Sequence, residues 1–262
     1  MALSPKIIED LAEYLDTAEM ERREVTKITD QYPDMDWEDA YAIQRAIRAR
    51  QQARGVGMAG YKAGLTSHAK MKQMGVEEPV FGFITDVGMI ADGGEIDTAT
   101  LIHPKVEAEI AFVLKRELSG PGCHIGAVLA ATDFVVPAVE VIDSRYKDFR
   151  FDLKSVIADN TSSARWITGG VAAPVAGLDL RNLGIVLEKN GEVIDTASGA
   201  AVLGHPAQSV AMLANMLARR GESLPAGAFI MTGGATAAVA VAPGDTVTVR
   251  YQALGTLSMR VV

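Results

Sequence analysis

The chain has 262 residues, 48% hydrophobic and 22% charged, a globular composition rather than a disordered or membranous one. Its formal net charge is -8 with no basic run, which argues against a nucleic-acid surface and means that a small acidic ligand needs a metal or a few placed cations. The single cysteine, Cys123, precludes an intrachain disulfide and fits a reducing cytoplasm, and no basic leader or membrane-length apolar stretch is present.

Taken in order, the chain begins with helical signals. Ser4-Pro5 supplies an N-cap and a proline at the first helical position, and Ile7, Ile8, Leu11 and Leu15 follow at helical spacing. A second helix is predicted from Asp36, with Tyr41, Ile43, Ala46 and Ile47 as its apolar stripe and Gly55 at its end. Residues 61–67 read as a short strand and turn, followed by a short helix at 71–74. From Val80 the signals are mainly β: 81–84, 89–90, 105–114 and 134–142 are rich in branched and aromatic residues. Segments 183–188 and 192–196 flank Asn190-Gly191, a type I′ hairpin signal. One more helix is predicted from His205-Pro206 to Gly221, then strands at 228–232, 246–251 and 257–262. The expectation is an α+β chain with a helical N-terminal region over 1–79 and a β-rich core over 80–262.

The chemistry-bearing pattern is acidic. In His103-Pro104-Lys105-Val106-Glu107-Ala108-Glu109-Ile110, residues two apart on a strand share a face, so Glu107 and Glu109 project side by side. Glu140 is a lone carboxylate in the apolar run at 135–142. By spacing alone the Glu107–Glu109 pair fits equally the solvated face of an antiparallel sheet. A carboxylate among apolar neighbours, however, is costly unless a cation or proton neutralises it. Three carboxylates without His or Cys suit a hard cation that keeps open positions for water or substrate.

These segments resemble the metal-binding motifs of the hydratase/decarboxylase branch of the fumarylacetoacetate hydrolase superfamily. So do Lys62-Ala63-Gly64-Leu65-Thr66-Ser67, Ala158-Asp159-Asn160-Thr161-Ser162-Ser163, Leu203-Gly204-His205-Pro206 and Ile230-Met231-Thr232-Gly233-Gly234, in the same order along nearly the whole chain. The resemblance implies a distorted β-roll core with a smaller helical N-terminal region. It implies Glu107, Glu109 and Glu140 as ligands of Mg²⁺ or Mn²⁺, Lys62 as the catalytic lysine, and Ser162 near a bound 2-oxo acid. Leu65, Thr66 and Ser67, with Thr232 and Gly233, are expected around the substrate. Asp143 and Arg145 are expected to form an ion pair behind Glu140 that orients it.

Reactions expected of this branch are decarboxylation of 2-oxo-3-hexenedioate to 2-hydroxypenta-2,4-dienoate in the meta-cleavage degradation of aromatic compounds, and hydration of that dienoate. One residue separates them. Hydratase-like sequences carry an acid before Phe-Gly, whereas this chain has Val80 before Phe81-Gly82, with Glu77 and Glu78 as nearby substitutes. Val80 cannot transfer a proton, which favours decarboxylation. The resemblance also implies a small 2-oxo dicarboxylic acid substrate, a homo-oligomer, and a complex with 2-hydroxypenta-2,4-dienoate (vinylpyruvate) hydratase.

Overall fold

The computed structural model describes residues 3–67, 71–72 and 78–262; the second half of the helix expected at 71–74, and Glu77, lie outside them. Helix α1 spans Pro5–Glu21, α2 Ile28–Gln31 and α3 Trp37–Ala53. Ser4 caps α1 by accepting from the Ile7 N–H, and α3 opens on a capping box in which the Asp36 and Asp39 side chains each accept the other's backbone N–H. Beyond the helices lie strands β1 (Met58–Gly64), β2 (Val80–Thr85), β3 (Met89–Ala91), β4 (Glu95–Ile96) and β5 (Lys105–Leu114). Helix α4 (Ile125–Ala131) leads directly into β6 (Thr132–Ile142), and α5 (Leu153–Ala158) precedes β7 (Ser163–Thr168). The chain ends with β8 (Gly184–Lys189), β9 (Glu192–Ser198), α6 (Pro206–Ala218), β10 (Phe229–Met231), β11 (Val239–Ala240), β12 (Thr246–Tyr251) and β13 (Gly255–Val261).

The strands form two sheets. The larger has the order β2-β1-β10-β5-β6-β7-β3 with β11 paired to β5, and the smaller β4-β13-β12-β8-β9. Asn190 and Gly191 both have positive φ in the β8–β9 turn, the type I′ geometry expected of that dipeptide. Strand β1, which carries Lys62, is hydrogen-bonded between β2 and β10. The lysine strand therefore belongs to the large sheet, and a boundary at 79/80 passes close to the paired Gly64 and Val80. The helices are tied to the same sheet: Tyr41 of α3 stacks on Phe81 of β2 at 4.5 Å, and the Gln44 amide donates to the Phe81 and Ile157 carbonyls, both at 2.9 Å. Helices α4 and α5 were not legible, because both are short and α4 is an apolar run that continues straight into a strand.

One turn sets the floor of the site. Asn160, Thr161 and Ser162 all have positive φ (49°, 52° and 59°), a conformation that costs non-glycine residues on the order of 1–3 kcal/mol each. Asn160 holds it, since its side chain accepts from the Phe83 N–H and donates to the Phe83 carbonyl, both at 2.9 Å. Gly82 makes the approach feasible: a Cβ there would lie 2.5 Å from Thr161 Oγ1 and 2.7 Å from Asn160 Oδ1. Replacing Asn160 with Ala leaves two buried backbone groups of Phe83 unpaired. The Asn160→Ala variant is expected to lose about 2–4 kcal/mol of stability, read as a lower urea midpoint with unchanged slope.

Candidate active site

Strands β5 and β6 pair so that Glu107 lies directly opposite Glu140, while Glu109 lies opposite Ala138. This register joins the E-x-E pair to the lone glutamate. One oxygen from each of the three carboxylates lies within 4.8 Å of the others, about twice the ~2.1–2.5 Å distance from a hard cation to its oxygen ligands. Glu109 and Glu140 are wholly buried and Glu107 is half-buried.

Lys62 reaches the cluster from β1. Its Nζ is 2.9 Å from Glu140 Oε2 and donates to the Thr161 carbonyl at 3.0 Å, so the lysine bridges the acidic cluster and the strained turn. Gly233 N–H donates to Glu109 Oε2 at 2.7 Å. Glycines at 233 and 234 are required for that contact. Gly233 has φ +98°, where a Cβ would lie 2.0 Å from Thr66 Oγ1, and a Cβ on Gly234 would come 2.7 Å from the Glu107 carboxylate.

Lys62 pairs with Glu140 and leaves Glu109 without a cationic partner among the described residues. Among the described residues, Glu109 Oε1, Glu140 Oε1 and Ser162 Oγ are buried without a hydrogen-bond partner. Burial, followed by repulsion from Glu140, pushes the Glu109 carboxyl well above the usual carboxylate range. Burial also raises Glu140, with Lys62 opposing it. Buried carboxylate oxygens without donors, three acidic side chains and no His or Cys suit a divalent hard cation, so the residues fit a bound Mg²⁺ or Mn²⁺.

A cavity of about 340 Å³ opens beside the cluster. Lys62, Glu107, Lys105 and Ser162 give it polar groups, and Leu65, Val80, Ile142, Phe149, Phe151 and Val156 form apolar walls. Of the expected substrate contacts, Leu65 and Ser162 line it. Thr66 is buried against Gly233, whose own role is to hold Glu109. The Thr232 hydroxyl donates to the Ile110 carbonyl at 2.8 Å and so fastens β10 to β5. Ser67 lies outside the residues that line the cavity.

The expected Asp143–Arg145 pair does not form. The Asp143 carboxylate accepts from the Ile102 and His103 N–H groups at 2.8 and 2.7 Å, fixing the entry to β5. Arg145 pairs with the Asp159 carboxylate and donates to the Ser163 and Asp143 carbonyls at 3.0 and 2.9 Å. Arg145 therefore secures the turn that carries Ser162, not Glu140. Glu78 accepts from Arg219 Nη1 at 3.2 Å and is not among the residues that line the cavity, while buried Val80 is. Lys105, Phe149 and Phe151 were missed as site residues. Lys105 was visible in principle, because it shares the strand face of Glu107 and Glu109.

Residues 54–262 match the model of the C-terminal region of fumarylacetoacetate (FAA) hydrolase, and the chain belongs to that family. Within it, the chain is 64% identical over 252 residues to a 4-oxalocrotonate decarboxylase of Pseudomonas sp. (strain CF600), covering 96% of each protein. A solved 4-oxalocrotonate decarboxylase from Pseudomonas putida G7, complexed with magnesium and adipate, superposes with a TM-score of 0.98 at 57% identity over 99% of both chains. The 2-keto-4-pentenoate hydratase of Paraburkholderia xenovorans (strain LB400) is 38% identical over 97% of this chain and 95% of its own.

The electrostatics give a signed prediction. In chelator-treated protein, the folded-state pKa of Glu109 lies above its unfolded value. Its contribution to stability is then fully present below the ordinary carboxylate range and lost as pH rises through the raised value. The melting midpoint of metal-free protein is expected to fall over that window, and Mg²⁺ to restore it. Glu109→Gln should flatten the pH dependence and abolish the Mg²⁺ effect, as read by thermal denaturation.

Proposed function

We propose that this protein is a divalent-metal-dependent carboxy-lyase that converts 2-oxo-3-hexenedioate (4-oxalocrotonate) to 2-hydroxypenta-2,4-dienoate and CO₂. The observation that carries this reading is a cavity that meets the three-glutamate cluster through Glu107 and Lys62, with a wall that has Val80 where a proton-transferring acid would serve hydration. The 64% identity to a decarboxylase, against 38% to a hydratase, supports the same choice.

The substrate is a vinylogous β-keto acid. Breaking its C5–C6 bond sends the electron pair through the 3,4 double bond to the 2-oxo oxygen, which then takes up one proton. Glu107, Glu109 and Glu140 would hold Mg²⁺ or Mn²⁺, which would supply Lewis-acid stabilisation for the charge that develops at the 2-oxo end. Lys62 stands next to that end, where its ammonium stabilises charge growing on the oxygen and can hand it the proton. Ser162 Oγ, buried and unpartnered among the described residues, is on this reading a donor to the 1-carboxylate. The apolar walls exclude water from the dienolate and so discourage its hydration.

On this reading the enzyme works in the cytoplasm in aromatic catabolism and self-associates. It also passes its unstable dienol product directly to a vinylpyruvate hydratase bound to it. No described helix is long and apolar enough to cross a membrane.

Assays of CO₂ release from 2-oxo-3-hexenedioate and of dienoate consumption distinguish the two chemistries. Purified protein with Mg²⁺ is expected to release CO₂ and leave 2-hydroxypenta-2,4-dienoate unconsumed; consumption of the dienoate alone defeats the proposal. Lys62→Met is expected to retain Mg²⁺ binding while turnover drops by roughly 10²–10⁴-fold.

A further inference from the structure

The cavity contains a second cation that the reaction scheme has not used. Lys105 precedes Glu107 by two residues on β5 and so lies on the same face, roughly 7 Å further along the strand. Lys62 is neutralised by Glu140, but among the described residues no carboxylate pairs with Lys105. Its ammonium instead sits 3.9 Å from the centroid of Phe149. That ring is held in place by His103, at 5.0 Å between centroids, and by Phe151 at 6.0 Å. A half-buried ammonium over an aromatic face, in the cavity of a chain with net charge -8, is chemically suited to pair with an anion.

We infer that Lys105 receives the carboxylate at the far end of the substrate and makes the enzyme select a 2-oxo dicarboxylic acid over a 2-oxo monocarboxylic acid. This rests on the function proposed above. The lengths agree. Three backbone bonds of extended chain span about 3.3–3.6 Å, so the five carbon–carbon bonds of a six-carbon diacid span roughly 6 Å, close to the step from Glu107 to Lys105. With the 1-carboxylate and 2-oxo group at the acidic cluster, the 6-carboxylate then reaches Lys105 between Ile142 and Phe149.

The placement also bears on the bond that breaks. An anchored 6-carboxylate fixes the rotation about C4–C5, and decarboxylation needs the C5–C6 bond perpendicular to the conjugated plane. The aromatic face shares the ammonium with the carboxylate, and the neutral CO₂ that departs no longer pairs with it. Lys105 thus orients the leaving group and reads its charge, while the electron pair travels to the opposite end of the molecule.

The test uses two stable probes, 2-oxoadipate and 2-oxohexanoate, titrated calorimetrically into the Mg²⁺-loaded protein. Wild type is expected to bind 2-oxoadipate roughly 10–100-fold more tightly, the range of one charge-assisted bond. Lys105→Gln should lose that preference while binding 2-oxohexanoate as wild type does, which also shows that the variant is folded. Lys105→Arg should keep most of the preference. An unchanged ratio in Lys105→Gln, or a wild type that binds the two acids equally, overturns the role of Lys105 alone. A wild type that releases no CO₂ from 2-oxo-3-hexenedioate overturns the proposed reaction and the substrate with it.

Discussion

Everything in this site depends on one cross-strand pairing, in which Glu107 of β5 faces Glu140 of β6. Side by side in a sheet interior, two carboxylates repel and lose their water, and Glu109 on the same face adds a third. A protein gains nothing in stability from such an arrangement. It persists because the surrounding elements each bring a compensating group: Lys62 from β1, the Gly233 N–H from the end of β10, and room for a divalent cation in the middle. The strands of the large sheet are ordered so that β1, β10, β5 and β6 lie consecutively, which brings those groups to one place.

Around the charged cluster, the structure spends its conformational strain where position matters. Three successive left-handed residues form the 160–162 turn, and a side chain of the same turn fastens it to β2. The result is a carbonyl for Lys62 and a hydroxyl aimed into the cavity, both supplied by a loop that Arg145 and Asp159 clamp from behind. Opposite lies an apolar wall of valine, isoleucine and phenylalanine. Charge is concentrated at one end of the cavity and thins out toward Lys105, a gradient that suits a substrate whose electrons move toward the metal end.

Much of this was legible in the sequence, and the remainder was hidden for identifiable reasons. Alternation along β5 put Glu107 and Glu109 on one face, the Ser4-Pro5 and Asp36 caps started helices where expected, and Asn190-Gly191 made its hairpin. Register was not legible: no local pattern says that Glu140 sits opposite Glu107 rather than two residues away. Nor does local pattern say which partner a polar group takes. Arg145 lies two residues from Asp143 in sequence yet pairs with Asp159, and the Thr232 hydroxyl turns to a backbone carbonyl instead of the cavity. Short elements such as α5 escaped because six residues carry too little periodicity to register.

The glycine pair at 233–234 carries one more implication. It is the last part of the site to be synthesised, 124 residues after Glu109, whose carboxylate its N–H engages, and Lys62 finds its carbonyl 99 residues further on. Almost nothing in the cation cage is local. Closing loops of that length must precede these two contacts, whereas the three glutamates come together as soon as β5 and β6 pair. The acidic cluster is thus set by one strand pair, while the groups that steady it arrive from distant parts of the chain, the Gly233 N–H from its final third.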